Sequence, residues 1–182
     1  SQTGGDRSAT PSATSLGSYG GRIAGGGQNS NTGLLLNFDR GGATDIEDDS
    51  NIGDNGNKIT VGGAAVIKAS PFGDGKSAMY FDGSDDSLSV ATTINAGLDD
   101  IGTGAFTLEL WVNFSNITSE EGIFNFSLTG NNNSAGIQIA YRGDYSPKGF
   151  NIMVAGTQKT VNFDAQIGRW YHLALCRSAS GG

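Results

Sequence analysis

Residues 106–115 constrain the fold more than any other stretch. Phe106, Leu108, Leu110, Val112 and Phe114 alternate without a break with Thr107, Glu109, Trp111 and Asn113. Successive side chains of a strand point to opposite faces, so this alternation predicts a β-strand with one apolar face turned to a core. A helix would scatter the same residues around its circumference. Ile137, Ile139 and Tyr141 alternate in the same way, and so do Tyr171, Leu173 and Leu175 within Trp170 to Cys176.

Shorter runs extend the pattern. Leu34 to Phe38 (a strand buried on both faces or a sheet-edge entry), Lys58 to Val61, Ala64 to Ile67, Ala78 to Phe81, Leu88 to Val90, Ile123 to Leu128, Phe150 to Val154 and Lys159 to Phe163 all read as strands. Gly62-Gly63 signals a two-residue hairpin between the second and third of these, and Ala155-Gly156-Thr157 joins the last two. Pro71 to Gly75, Asp82 to Asp86 and Gly130 to Asn133 are turn clusters. Residues 94–102 are read as at most one helical turn, because Asp99 and Asp100 suit a helix start. The sum is about eleven strands at intervals of roughly 8–15 residues with no long helix, which predicts an antiparallel sandwich or jelly roll.

Composition agrees. Glycine is high, at 30 of 182 residues, and charged residues are low, at 16%. That balance suits a loop-rich β protein and opposes coiled coils. A single cysteine forbids an intrachain disulfide and a cysteine zinc site; Cys176 is expected to be a buried, reduced strand residue. The net charge of −7 opposes nucleic-acid binding, which needs clustered Lys and Arg. No apolar run approaches the length that spans a membrane, so no membrane insertion is expected, and the polar N-terminus shows no signal peptide. Within residues 1–33, Gly, Ser and Thr fill 19 positions. Such a segment buries too little to offset ordering entropy, so it is expected to be a flexible arm or linker, or an arm that orders against a partner chain.

Candidate chemistry is sparse. The only histidine, His172, lies in a strand between Tyr171 and Leu173 and reads as a face-filling sheet residue. No nucleophile elbow is present. Calcium is the ion that suits the acidic loops, whose candidates are Asp39, Asp45, Asp48, Asp49, Asn51 and Asp54, then Asp82, Asp85 and Asp86. Asp45-x-Glu47-x-Asp49 is not an EF-hand, since it lacks the sixth-position glycine and the twelfth-position glutamate. Solvated acidic loops with Asx turns are the simpler reading. For a polar ligand such as a sugar, Tyr141, Arg142 and Tyr145 form an exposed candidate, and the polar, turn-forming tip at Asn131 and Asn132 offers further hydrogen-bonding groups. Trp111 and Trp170 are the larger aromatic platforms.

Five segments carry a family resemblance. Leu34-Leu35-Leu36-Asn37-Phe38-Asp39, then Phe72 to Gly83, Asp85 to Val90, Phe106 to Val112 and Gly168 to Leu175 resemble, in order, the landmarks of concanavalin A-like, laminin-G-like jelly-roll domains. The resemblance implies an antiparallel two-sheet sandwich over residues 34–182. Relative to the usual family pattern, strands that follow the last landmark are missing. It therefore implies either a longer polypeptide or strands supplied by neighbouring chains, and with the latter a homo-oligomer. It narrows the structural calcium candidates to Asp39, Asp49, Asp82 and Asp86. It also places Trp111 and Trp170 at landmark positions used for core or inter-sheet packing. Glucanases of this fold carry two carboxylates on one side of a strand, as glycoside hydrolysis requires; Glu109 stands alone at the comparable strand, so no hydrolase is expected. The family includes carbohydrate-binding modules, adhesion domains and virion proteins of bacteriophages. The leading expectation is a non-enzymatic phage virion protein, a tail fibre or surface decoration, touching other virion subunits or a host-surface glycan. The other reading is an adhesion module of a secreted or surface-bound bacterial protein.

Overall fold

The computed structural model describes residues 32–39, 46, 48–50, 59–70, 72–73, 75–90, 104–126 and 136–178. The Gly/Ser-rich arm up to Asn31, the segment 94–102 and the tip at Asn131 and Asn132 lie outside the described residues. Ten strands are present among those described: β1 (Ile59–Gly62), β2 (Val66–Ala69), β3 (Ser77–Tyr80), β4 (Ser87–Val90), β5 (Phe106–Asn113), β6 (Glu120–Phe126), β7 (Ile137–Arg142), β8 (Gly149–Val154), β9 (Thr157–Asn162) and β10 (Trp170–Arg177). Every pairing is antiparallel, and none of the described residues is helical. The all-β, antiparallel expectation is met. The chain divides into two compact units, residues 1–100 and 101–182.

In residues 101–182, β6, β7, β8 and β9 form a four-stranded meander, while β5 pairs with β10. The long alternation of β5 explains why. Its inward set, Phe106, Leu108 and Val112, joins Tyr171, Leu173 and Leu175 of β10 to pack on a buried cluster of Phe114, Ile137, Ile139, Tyr141, Phe150 and Ala165. Two sheets thus close face to face over one core, and each side chain fully buried there stabilises the fold by about 1.5–3 kcal/mol. The rings of Phe114, Tyr141 and Phe150 lie 4.9–6.4 Å apart by centroid, in tilted and edge-on contacts that aromatic quadrupoles favour. The β8–β9 hairpin turns at Ala155 and Gly156, both with positive φ (47° and 77°), as a two-residue turn of this twist demands.

Two tyrosine hydroxyls pin the crossing from β9 to β10. Tyr141 Oη donates to the Phe163 carbonyl at 3.3 Å and accepts from the Ala165 amide at 3.1 Å. Tyr171 Oη accepts from the Gln166 amide at 2.9 Å.

In residues 1–100, β1 pairs with β4 and β2 with β3, so the inner pair is nested in the outer one. This corrects the hairpin expected at Gly62-Gly63. That turn passes the chain from one pair to the other instead. A Cβ at Gly63, whose φ is +67°, would come within 2.9 Å of the Asp85 carbonyl oxygen, so the glycine allows the two connections to touch. Leu34 to Phe38 is also corrected: it is not a strand. Its backbone is held at isolated points, with Leu35 N donating to Asp48 Oδ1 at 2.9 Å and Leu35 O accepting from Asp49 N at 2.8 Å. Phe38, at φ 56°, turns out of the extended region.

Two more expectations change. Trp111 is 54% exposed rather than packed in a core. Cys176 is exposed rather than buried. Both belong to the outward set of the β5–β10 pair, and strand parity overrides the habit of their residue types.

Candidate functional site

The end of β7 and the turn that follows it carry three of the five expected ligand residues. Tyr141 is fully buried, which corrects its reading as an exposed platform: it shares the inward parity of Ile137 and Ile139. Arg142 points the other way. Its Nε and Nη2 donate to the two carboxylate oxygens of Asp144 at 3.0 and 2.8 Å, and Glu120 lies 3.5 Å from Nη1. The guanidinium stacks 3.7 Å over the ring of Tyr145, itself 46% exposed. The bidentate hydrogen bond holds the Asp144 carboxyl below its ordinary range and raises Arg142 well above its own, with burial opposing both shifts. Gly143 permits this turn to dock, because a Cβ there would meet the Ile117 carbonyl, and its amide donates to Ser119 O at 3.0 Å. The result is a closed, charge-paired knob with one exposed phenol.

The acidic turn between β3 and β4 divides the four calcium candidates. Asp82 and Asp86 come together with Asp85, each offering a carboxylate oxygen within 4.8 Å of the others. That spacing fits oxygens shared around one calcium ion. These carboxylates also hold the turn: Asp82 Oδ1 accepts from Ser84 N at 2.8 Å, and Asp86 accepts from the amides of Ala64 and Asp82. Asp39 and Asp49 lie outside the group. Asp39 is paired with Lys76 and accepts from Ser77 N at 3.0 Å; Asp49 accepts from Asn37 Nδ2 at 3.1 Å.

A third place emerges on the outward face of the β5–β10 pair. Trp111 stands opposite His172, with ring centroids 5.0 Å apart, and His172 Nε2 lies 3.8 Å from Glu109 Oε2. Both polar side chains are exposed, 42% for His172 and 59% for Glu109. The grouping was readable from parity once the β5–β10 register was known; the sequence by itself does not supply that register.

One comparison with known proteins bears on this geometry. The Laminin_G_3 family model, described as the concanavalin A-like lectin/glucanases superfamily, matches residues 82–182. The chain belongs to that superfamily. Searches against curated proteins and solved structures return no match. The superfamily name spans sugar binders and sugar cleavers, and the two differ in what they need. Cleavage calls for two carboxylates about 5–9.5 Å apart flanking one bond. In the described outward set of β5 and β10, Glu109 is the carboxylate, and its neighbour is an imidazole.

Proposed function

We propose that this superfamily member is a non-enzymatic, lectin-like module of a phage virion, part of a tail fibre or a surface decoration, that holds a host-surface glycan or contacts neighbouring subunits. The observation that carries the binding half of this reading is the outward face of β5 and β10. There an exposed indole lies beside an imidazole and a lone carboxylate, which suits holding a sugar better than cleaving one. The virion assignment is supported by the resemblance of the opening Leu-Leu-Leu-Asn-Phe-Asp segment and the Gly/Ser-rich leader. Subunit contact is supported by β9, an outer strand of its sheet whose six described residues are all exposed. Calcium belongs to the proposal as a structural ion at Asp82, Asp85 and Asp86, where it would bridge the β3–β4 turn.

The test is retention of the full chain on bacterial cells and on extracted surface polysaccharide, with calcium and with chelator, beside light scattering. Retention makes the module a receptor binder, and its loss in chelator adds the acidic turn to the working parts. Absence of retention with an oligomer in solution leaves architecture as the role. Glycan retention by a protein that never associates with virions favours the secreted bacterial module. Polysaccharide cleavage that disappears in Glu109→Gln overturns the non-enzymatic reading.

A further inference from the structure

One cross-strand row runs through the four-stranded sheet, from Tyr141 on β7 to Phe150 on β8 and Val161 on β9. Along it the exposed fraction rises from 0% to 7% to 51%, although all three side chains share the core-facing phase. The core therefore stops short of β9. It leaves Val161 uncovered and, next in the same phase, Phe163 at 37% exposed. The backbone pairing stops there too, since β9 is an outer strand of its sheet. Phe163 N donates to Lys148 O at 3.0 Å, in line with the β8–β9 register. Thr157, Lys159, Val161 and Phe163 thus turn their backbone groups to β8, and Gln158, Thr160 and Asn162 turn theirs to the open edge. The opposite outer strand, β6, is guarded: it opens with Glu120 and Glu121, and its register shifts between Gly122 and Phe124. β9 has no proline, no shift in register and a single charge, Lys159.

We propose that a second copy of this chain pairs with β9, antiparallel across a two-fold axis at Val161, so that two four-stranded sheets join into one. The proposal rests on the subunit-contact reading above and names the partner and the register for it. A two-fold pairing sets Gln158, Thr160 and Asn162 of each copy against the same open groups of the other, and it leaves no free β9 edge. Side chains choose among the registers. Centred on Lys159, the pairing opposes two like charges, which is destabilising. Centred on Thr160, it sets each Val161 against a lysine. Centred on Val161, it opposes valine to valine and lays Lys159 beside the ring of Phe163 in the other copy, where an ammonium is welcome. That register also continues the row of Tyr141, Phe150 and Val161 into its own mirror order, and covers the two apolar side chains that the core leaves bare. The edge and the bare side chains thus suit one and the same occupant.

The experiment measures sedimentation equilibrium of the full chain over a range of concentrations, beside hydrogen exchange and cysteine crosslinking. The unsubstituted chain should form a dimer, and the amides of Thr160 and Asn162 should gain protection as it forms. Thr160→Pro removes an amide that points away from β8, so it should spare the fold and abolish the dimer. Val161→Lys opposes two charges at a position already 51% exposed, and should weaken the dimer by about tenfold or more. Thermal unfolding of both variants, compared with the dissociated chain, shows whether the fold is kept. With the sole cysteine removed in Cys176→Ser, Val161→Cys should crosslink the dimer on mild oxidation, because directly opposed residues of this kind lie about 4.5 Å apart by Cα. Lys159→Cys should not. A crosslink through Lys159→Cys and none through Val161→Cys overturns the register. An oligomer indifferent to Thr160→Pro and Val161→Lys overturns this interface and leaves the subunit-contact reading standing. A monomer at every concentration overturns both, and protected Thr160 and Asn162 amides in that monomer would assign the edge to a segment of the same chain.

Discussion

In residues 101–182 the most deeply buried large side chain is an aromatic ring, Tyr141, at the centre of a cluster of apolar groups from five strands and their connections. In the described part of residues 1–100 the buried residues are Ala65, Asp49 and Ser50. The first region is held by apolar area removed from water, with a few hydroxyl bonds to fix its loops. The described part of the second is held by carboxylates that collect backbone amides: Asp48 takes those of Leu35 and Ser50, Asp39 that of Ser77, and Asp86 those of Ala64 and Asp82. Burial is non-directional and tolerates repacking, whereas an amide–carboxylate bond fails when one oxygen is removed. The two regions should therefore respond to different substitutions.

The largest effect is expected at Tyr141. Truncation in Tyr141→Ala removes a ring that touches Phe114 and Phe150 and opens a cavity, at a cost of about 3–5 kcal/mol in urea unfolding. Tyr141→Phe keeps the ring and drops the hydroxyl that ties Phe163 and Ala165, for about 1–2 kcal/mol. A loss below about 1 kcal/mol for Tyr141→Ala would mean that this region does not depend on its core in the way its burial implies.

A smaller, local effect is expected at Asp86. Asp86→Ala strips the acceptor from the amides of Ala64 and Asp82, which should cost about 1–2 kcal/mol, since one end of this site is solvent-exposed. Hydrogen exchange reads the outcome residue by residue. Protection should fall at Ala64 and Asp82 while the amides of β7 and β8 keep theirs. Equal loss of protection in both regions would erase the distinction between them.

The same contrast explains what the sequence made legible. Strands in residues 101–182 were visible because a half-buried sheet writes its parity into the chain: Phe106 to Phe114, Ile137 to Tyr141 and Tyr171 to Leu175 alternate. Parity also predicted more than residue type did. Tyr141 is core because it shares the phase of Ile137 and Ile139. Trp111 and Cys176 are exposed because they share the phase of Glu109 and His172. In residues 1–100 the short runs carry no such phase. Leu34, Leu35 and Leu36 are apolar without alternation, and Leu35 is anchored by the Asp48 carboxylate and the Asp49 backbone amide, more than ten residues away. Gly62-Gly63 is a genuine tight passage, but a turn signal is local and cannot tell a hairpin from a step between nested pairs. The site on β5 and β10 was half legible for the same reason. Glu109 and Trp111 are two apart on one strand, but His172 joins them only through long-range register.

The smallest effect lies at the β7–β8 turn, where the charge-paired knob borrows from both regimes. Asp144 is bonded to the Arg142 guanidinium through both oxygens, and that hydrogen bond lowers its carboxyl below the ordinary value of 3.8. A carboxyl whose pKa is depressed on folding binds its proton less readily in the native chain than in the unfolded one. Its contribution is therefore full above the unfolded value of about 3.9 and is lost as pH falls through the lower folded value. Arg142 is shifted upward and stays charged throughout, so it adds no titration of its own in that window. Chemical shifts of the Tyr145 ring, stacked on Arg142, report the event directly. They should move in a single step below the ordinary aspartate range, and in Asp144→Asn that step should vanish while the core amides of β7 and β8 keep their protection. A Tyr145 signal that titrates in the ordinary aspartate range would mean that the bidentate pair does not persist in solution, and the knob would then belong with the solvent-exposed loops instead of with the sheet that carries it.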